Sequence, residues 1–418
     1  MNIVWFANEV LPEVNRLRND KPSPFGGWLV YASTLISQNE NYGLTIISPD
    51  SSIKEIVELQ GENIRYILFP KTPQNRKLVD SHVCEVFNRI DPDIVHIFGT
   101  ENYHALVAAK QCMLLKIPFV VSIQGLVSVI AKHYVSGLPR YVQTRYTIRD
   151  WLKHDRIVDQ MNKFKKRGYD EIETLSLSQH IIGRTDWDYT CVHQINPNIT
   201  YHFCNETLRE KFYVNKWDTN KKVTHRLFTS QAYYTIKGFH YLIEAIHLLV
   251  KKYPDLTLHV AGDDIFSVHT MKDYLKQSSY AKYINALIKK YKLEKSITFT
   301  GVLSEEQMID EYLSSHTFVM PSVIENSPNS IGEAMILGVP TVSSFVGGVN
   351  NVIDHGINGF YYQHDAPYML AQYVDKLWQD DQLTKLISSH GIEKALSIYH
   401  PEKNKERLLE IYSNILST

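Results

Sequence analysis

What the sequence has least of is net charge. Its 44 Lys and Arg nearly cancel its 45 Asp and Glu, leaving a formal charge of −1 with His neutral. A chain so balanced sets up no global field that would gather nucleic acid or an acidic membrane, and leaves only local patches for such work. No nucleic-acid partner is expected. Cysteine is scarce: the four residues Cys84, Cys112, Cys191 and Cys204 form no Cys-x-x-Cys pair and no metal-like cluster. That argues against a disulfide scaffold and fits the reduced thiols of a cytoplasmic protein. Long apolar runs are missing too. The longest, 117–130, is broken by Gln124 and Gly125 and falls short of the ~20 residues that a membrane-spanning helix needs. Residues 1–6 carry neither a basic region nor a small-residue cleavage site, and read as a strand rather than a signal peptide. No Gly-x-Gly-x-x-Gly follows that strand, which argues against a dinucleotide-dependent dehydrogenase. No His/Cys group has zinc spacing. Asp91-Pro92-Asp93 and Asp186-Trp187-Asp188 match a short metal-binding pattern. Each lies beside a strand, where turn and cap Asp are common, and such short matches arise by chance. No metal and no cofactor are expected.

What is present is alternation. Short continuous runs rich in Val and Ile, the pattern of strands buried on both faces, lie at 2–7, 44–48, 64–69, 94–98, 119–123 and 181–184. Helical patterns fall between them at 28–37, 78–90, 104–115 and 171–177. After the polar stretch 217–222 the alternation restarts. Strands are expected at 227–229, 256–261, 297–300, 317–320 and 341–343, and helices at 238–252, 281–291, 305–314 and 330–337. From Tyr368 the chain reads as helix, broken near His400-Pro401. The fold class is therefore α/β, with two Rossmann-like doubly wound domains and a cleft between them. The expected division is 1–217 and 218–395, with 396–418 as a last helix that crosses back to the first domain.

The chain is organised around the stretch from Val319 to Met335. It reads as a buried strand ending at Pro321-Ser322, a loop, and a helix opening near Asn329 or Ser330. Glu325 and Glu333 bracket the loop and helix start with seven residues between them. A helix N-terminus offers free N–H groups and the positive end of its dipole, which suits a diphosphate. The two carboxylates would then reach other parts of the same ligand. A plainer reading stands beside this one: Ser330-x-x-Glu333 is also a capping box, in which Glu333 only satisfies a backbone N–H.

With Lys237-Gly238 upstream, the small-residue turn Gly338-Val339-Pro340-Thr341, then Gly347-Gly348 and Asn358-Gly359, the run resembles the family 4 retaining glycosyltransferases of the GT-B fold. The resemblance is strong over 224–362 and weaker before that. It implies a nucleoside-diphosphate sugar as donor, with Glu325 facing the transferred sugar and Glu333 holding the ribose. Asn329 and Ser330 would receive the diphosphate on their amides, assisted by Lys237, and the base would rest by Val302. Many such transferases also carry a Gly-Gly pair after the first strand, here Gly26-Gly27, where backbone can approach a phosphate or sugar closely. An ordinary glycine turn is the alternative there.

Two departures stand out. Gln231 or Ala232 occupies the place where the family has an Arg that neutralises the diphosphate, so one cation is missing. Gln124 stands at a strand end where many members have His. Gln124 can hydrogen-bond a sugar hydroxyl but cannot act as a base. Retaining transfer tolerates this, because a departing phosphate oxygen can take the acceptor's proton on the same face.

Lesser candidates follow. Arg184, at the end of a strand, is either an anion contact or one half of a structural pair. Glu101 and His104 lie after the 94–98 strand as acceptor contacts, with Thr100 expected as a helix cap. The segment 132–167 is rich in Lys and Arg with Tyr134, Tyr141, Tyr146, Trp151 and Phe164 interleaved. It offers a peripheral contact to the inner face of a membrane, a grip on an acidic acceptor, or else a solvated helical face.

The expectation is a cytoplasmic, metal-independent, hexosyltransferase-type enzyme. It would move sugar from a nucleotide sugar to a glycan or lipid-linked acceptor, as in cell-surface polysaccharide synthesis. The alternatives are a sugar-nucleotide epimerase of the same architecture and a catalytically dead binding subunit.

Overall fold

The computed structural model describes residues 1–20, 27–72, 75–268 and 270–417. The chain forms two compact units. The first comprises Met1–Val129, Lys165–Arg209 and Tyr399–Thr418; the second comprises Ile130–Phe164 and Glu210–Ile398.

The first unit holds eight strands: β1 (Asn2–Phe6), β2 (Gly43–Asp50), β3 (Val57–Gln60), β4 (Ile64–Pro70), β5 (Ile94–Phe98), β6 (Phe119–Ser122), β7 (His180–Gly183) and β8 (Thr200–Phe203). They join in the order β3-β4-β2-β1-β5-β6-β7-β8. Every pairing is parallel except β3 on β4. Successive side chains of a strand point to opposite faces, and β1 divides accordingly. Val4 and Phe6 enter a core with Val83, Ala105 and Ala108 from the helices Arg76–Phe87 and Tyr103–Leu115. Ile3 and Trp5 enter another with Leu29, Ile411 and Tyr412 from the helices Gly27–Ser37 and Pro401–Leu416. The Trp5 indole donates to Tyr412 Oη at 3.0 Å, so a buried polar atom is satisfied across this layer.

The second unit holds six strands: β9 (Arg226–Thr229), β10 (Thr257–Ala261), β11 (Ile297–Gly301), β12 (Thr317–Met320), β13 (Thr341–Phe345) and β14 (Phe360–Gln363). Their order is β11-β10-β9-β12-β13-β14, parallel throughout. The chain winds outward from β9 through β10 to β11, then returns to lie on the other side of β9 as β12. Ligands of open α/β sheets bind at the carboxyl ends of strands where the winding reverses in this way. In the second unit that place lies between β9 and β12. In the first unit the same reversal lies between β1 and β5.

The compact units divide the chain elsewhere than at the expected 217/218. Residues 130–164 belong with the second unit because their apolar side chains are spent there. Tyr134, Leu138, Val142 and Ile157 join the core that contains Leu242, Ala281 and Ile284. Thr235 Oγ1 donates to the Tyr134 carbonyl at 2.7 Å, and Ser279 N donates to buried Asp150 at 2.9 Å. Residues 210–217 also fall in the second unit.

Candidate functional site

The reversal in the second unit is built around one loop. All residues from 317 to 344 are buried except three: Glu325, Asn329 and Ser330. The strand, loop and helix thus leave Glu325, Asn329 and Ser330 accessible and bury Glu333, the residue expected to hold the ribose.

Two glycines hold the loop in place. Gly238 has φ +64°, and a side chain there would run into the Pro321 carbonyl. Gly347 has φ +52° and lies as tightly against the carbonyl of Glu325. Only glycine takes both the left-handed backbone and the close approach without cost. Backbone bonds complete the frame. Val323 N donates to the Ile236 carbonyl at 2.8 Å, and Gly348 N donates to the carbonyls of Glu325 (3.3 Å) and Asn326 (3.1 Å). The Lys237 turn and the Gly347-Gly348 turn therefore clasp the Glu325 loop from two sides.

Inside this frame Lys237 Nζ lies 2.6 Å from Glu325 Oε1. Ser322 Oγ donates to the same oxygen at 2.8 Å. Both charged side chains are about four-fifths buried, with 22% and 16% of their surface exposed. Ser322, which the sequence reading passed over, orients the carboxylate; its own carbonyl accepts from Ser344 Oγ at 2.5 Å. Three-residue proximity to Glu325 was the signal available for it.

The helix Asn329–Leu337 begins one residue after Pro328, which occupies the N-cap without any side-chain cap bond. Ser330 is therefore inside the helix rather than at its cap, and the capping-box reading of Glu333 does not apply. Glu333 is buried, with a carboxylate oxygen 3.4 Å from Tyr312 Oη, while Tyr312 Oη also donates to the Ser330 carbonyl at 3.1 Å. Tyr312 comes from the preceding helix, Glu305–Ser314, and nothing in its sequence spacing marks it.

The two residues at the place of the missing Arg differ in burial. Ala232 is buried in the core of the unit, whereas Gln231 is half-buried after β9 and is the side chain left at that place. Val302 follows Gly301 (φ +75°) at the end of β11 and presents an exposed apolar side chain.

In the first unit, Glu101 and His104 are brought together by a residue the sequence reading missed. Asn8 Nδ2 donates to the Phe98 carbonyl at 3.0 Å and to Glu101 Oε2 at 3.1 Å, and Asn8 Oδ1 accepts from His104 Nε2 at 2.6 Å. Asn8 follows β1 and Glu101 follows β5, so this cluster sits at the reversal of the first sheet. Burial, reinforced by the nearby carboxylate of Glu171, pushes Glu101 up to about 7; burial pulls His104 down to about 3, so its ring is neutral. Thr100 is not the expected cap. The helix Tyr103–Leu115 has Asn102 at its N-cap, and Thr100 Oγ1 donates instead to Glu171 at 3.0 Å. Glu171, also missed, accepts from the amides of Val127 (2.8 Å) and Ser128 (2.9 Å) at the start of the helix Val127–His133.

Gln124 and Arg184 meet on Glu206. Gln124 Nε2 donates to one carboxylate oxygen at 2.6 Å and Arg184 Nη1 to the other at 2.5 Å. Arg184 is thus one half of a buried pair, the structural alternative left open for it, and an incoming anion would have to compete with Glu206. Glu206 lies in an irregular segment after β8, where periodicity says nothing about an isolated acid.

Gly27 opens the helix Gly27–Ser37, and Gly26 lies outside the described residues. The two Asp-x-Asp matches have structural partners. Asp93 accepts from the Asn2 amide at 2.6 Å, and Asp188 forms a capping box with Thr185. Among the described residues no group of three or more His, Cys, Asp or Glu is placed to hold a metal ion.

Comparison with known proteins agrees with the second unit first. The family model for glycosyl transferases group 1 matches residues 210–395. Mannosylfructose-phosphate synthase of Agrobacterium fabrum is 25% identical over 167 residues, covering 40% of this chain and 35% of that one. Such alignments reach 43% or less of the length of the curated relatives matched first. Whole-chain likeness comes from structure. Sucrose-phosphate synthase of Thermosynechococcus elongatus superposes with a TM-score of 0.72 at 13% identity, covering 100% of this chain and 99% of that one. Anabaena HepE, solved in complex with UDP-glucose, gives 0.68 at 16% identity, covering 99% and 100%. The chain therefore has the two-domain GT-B fold, and its segment 210–395 is similar to the glycosyl transferases group 1 family.

Proposed function

We propose that this protein is a retaining glycosyltransferase that moves a sugar from a nucleoside-diphosphate sugar to a glycan or lipid-linked acceptor. One observation carries the reading. Where the second sheet reverses, a buried strand–loop–helix leaves only Glu325, Asn329 and Ser330 accessible, with Lys237 beside Glu325. An acid, a cation and a helix start whose N-cap, Pro328, gives no side-chain bond suit a ligand with a diphosphate on one side and an electron-poor sugar carbon on the other.

The steps follow from these groups. The diphosphate sits on the amides at the start of the helix Asn329–Leu337, with Lys237 against its charge. Glu333 takes the ribose and exposed Val302 lies against the base. The bond between the anomeric carbon and the diphosphate oxygen breaks with its electron pair on oxygen. Glu325 stabilises the positive charge left on the sugar. The acceptor hydroxyl attacks the same face, and its proton passes to the departing phosphate oxygen. No protein base is required. The complex of Anabaena HepE with UDP-glucose supports a nucleotide sugar as the donor class.

One observation favours a second reading. Gln231 or Ala232 stands where the family carries its Arg, and Ala232 is fixed in the core, so a donor would bind with one cation fewer. A subunit that binds nucleotide sugar without turning it over would look the same. Diphosphate release from a panel of nucleotide sugars, with and without an acceptor-containing lysate, separates the readings. Acceptor-dependent release with an α-configured product from an α-configured donor supports the transferase. Acceptor-independent epimer or free sugar indicates an epimerase, and donor binding with no release in any arm indicates a binding subunit.

A further inference from the structure

The second unit carries a surface that the donor site does not use. Two short helices, Ile148–Lys153 and Met271–Lys276, are far apart in sequence and pack beside each other in the fold. Both expose apolar side chains that a soluble face would bury. Trp151 is 64% exposed, Leu152 66% and Met271 74%, with Ile148 and Leu275 also exposed. Scattered exposed apolar residues are ordinary, but a cluster contributed by two adjacent helices marks an interaction surface.

The unpaired charges on these helices and just before them are of one sign. Arg145, Lys153, Lys272 and Lys276 are exposed and stand in no ion pair among the described residues. The acids of these helices are committed elsewhere. Asp150 is buried and holds Ser279 N and Arg149, and Asp273 closes a capping box with Thr270. Part of the basic stretch is held by local partners, while Lys132, Arg140, Lys165 and Lys166 are exposed and stand in no ion pair among the described residues. Arg156 pairs with Asp159, Lys163 with Asp155, and Arg167 donates to the Glu101 carbonyl at 2.6 Å. Four uncompensated cations therefore lie on or just before the two helices that expose Trp151, Leu152 and Met271.

We infer that these two helices dock the protein onto an anionic lipid bilayer, with Trp151, Leu152 and Met271 entering the headgroup boundary and the four cations lying against lipid phosphates. The sign of the charge selects the occupant. A second copy of this surface would place like charges face to face, and a neutral partner would leave the cations uncompensated. Trp and Leu between Lys and Arg is the chemistry of an interfacial anchor, in which apolar burial and attraction to anionic lipid add. Among the described residues no helix is long and apolar enough to cross a membrane, so the contact is one of surface.

The test is flotation of the full chain with vesicles of phosphatidylglycerol and phosphatidylcholine in equal parts, and with vesicles of phosphatidylcholine alone. The protein should float with the anionic vesicles at low salt, and high salt should release it. Trp151→Ser with Leu152→Ser should weaken binding by roughly tenfold or more, as should Lys153→Glu with Lys272→Glu and Lys276→Glu. All five positions are exposed, and an unchanged melting temperature confirms that the variants fold. Absence of binding to either vesicle overturns the inference, as does equal binding to both or binding that survives these substitutions. Self-association that Trp151→Ser with Leu152→Ser abolishes, without vesicle binding, would assign the surface to a second copy. The measurement involves no donor or acceptor, so its failure leaves the transferase reading untouched.

Discussion

Lys237 and Glu325 neutralise each other at 2.6 Å, on one carboxylate oxygen that Ser322 also contacts. The two side chains assigned to opposite charges of the transition state are therefore partners before any donor arrives. Under the proposed function, a diphosphate entering the site would compete with Glu325 for the ammonium group and leave the carboxylate facing the sugar. Removing one member of a substantially buried pair also leaves the other uncompensated. The two single substitutions should then differ in sign as well as in size.

Glu325→Gln frees Lys237 from its partner while keeping the shape of the loop. Donor affinity should hold or rise a few-fold, and turnover should fall by roughly 10²-fold or more as the stabilising charge is lost. Titration calorimetry with the donor and steady-state kinetics separate the two effects. A variant that loses donor affinity and keeps its turnover would reverse the assignment.

Gly347→Ala tests the frame rather than the charge. The new methyl group meets the Glu325 carbonyl, and φ is already +52°. Stability should drop by about 1 kcal/mol or more, and donor affinity should fall with it because the Glu325 loop must shift. Thermal melting with and without nucleotide would show both. A variant with an unchanged melting temperature and unchanged affinity would mean that the loop is not fixed from this side.

How much of this was legible in sequence depended on burial. Strands of the two sheet interiors are continuous apolar runs, so β1, β5, β9 and β12 could be read directly, and with them the places where Glu101, Lys237 and Glu325 stand. The edge strands β3 and β8 are half-exposed, with residues such as Glu58 and His202 interrupting the pattern, and were not recognised. The capping-box alternative for Glu333 could not be settled from Ser330 alone, because Pro328 takes the N-cap and moves the register by two residues. The partners of Gln124 and Arg184 were invisible for a different reason. Glu206 is a single acid in irregular chain, and only folding brings it to both. The membership of 130–164 in the second unit rests on Tyr134, Leu138 and Val142, whose destination no local pattern records.

Glu101 should give stability a pH dependence opposite to that of the buried histidines. Its pKa is raised from 4.5 to about 7 in the folded protein. The folded state then holds a proton that the unfolded state has lost, so this contribution is complete below about pH 4.5 and disappears as pH rises through about 7. His104 is lowered from 6.5 to about 3, and its contribution is present above about 6.5 and lost as pH falls. Glu101→Gln keeps the shape and removes the titration. Its stability relative to the parent should improve between pH 5 and pH 8 by on the order of 1 kcal/mol, less whatever solvent screening removes. Urea melts across this range would measure it. Parallel curves for the two proteins would show that Glu101 ionises normally.

The largest effect on turnover is expected at Lys237. A diphosphate leaving group needs cationic help, and that need grows as charge collects on the departing oxygen. The second unit has Ala232 in its core and Gln231 beside the site, so the usual second cation is absent there. Arg184 was the rival cation, and its guanidinium is held by Glu206. Lys237→Ala should therefore lower turnover by roughly 10²–10³-fold, comparable to loss of one oxyanion donor. It also leaves Glu325 unpaired beside an incoming diphosphate, so donor affinity should fall, in contrast to Glu325→Gln. Gln231→Arg in the Lys237→Ala background should recover part of the turnover, since it restores a cation at the carboxyl end of β9. The same change in the parent should raise donor affinity if the site is short of positive charge. If turnover survives Lys237→Ala but collapses in Arg184→Ala, with Arg184→Lys failing to rescue and the fold intact by melting, the diphosphate role belongs to Arg184.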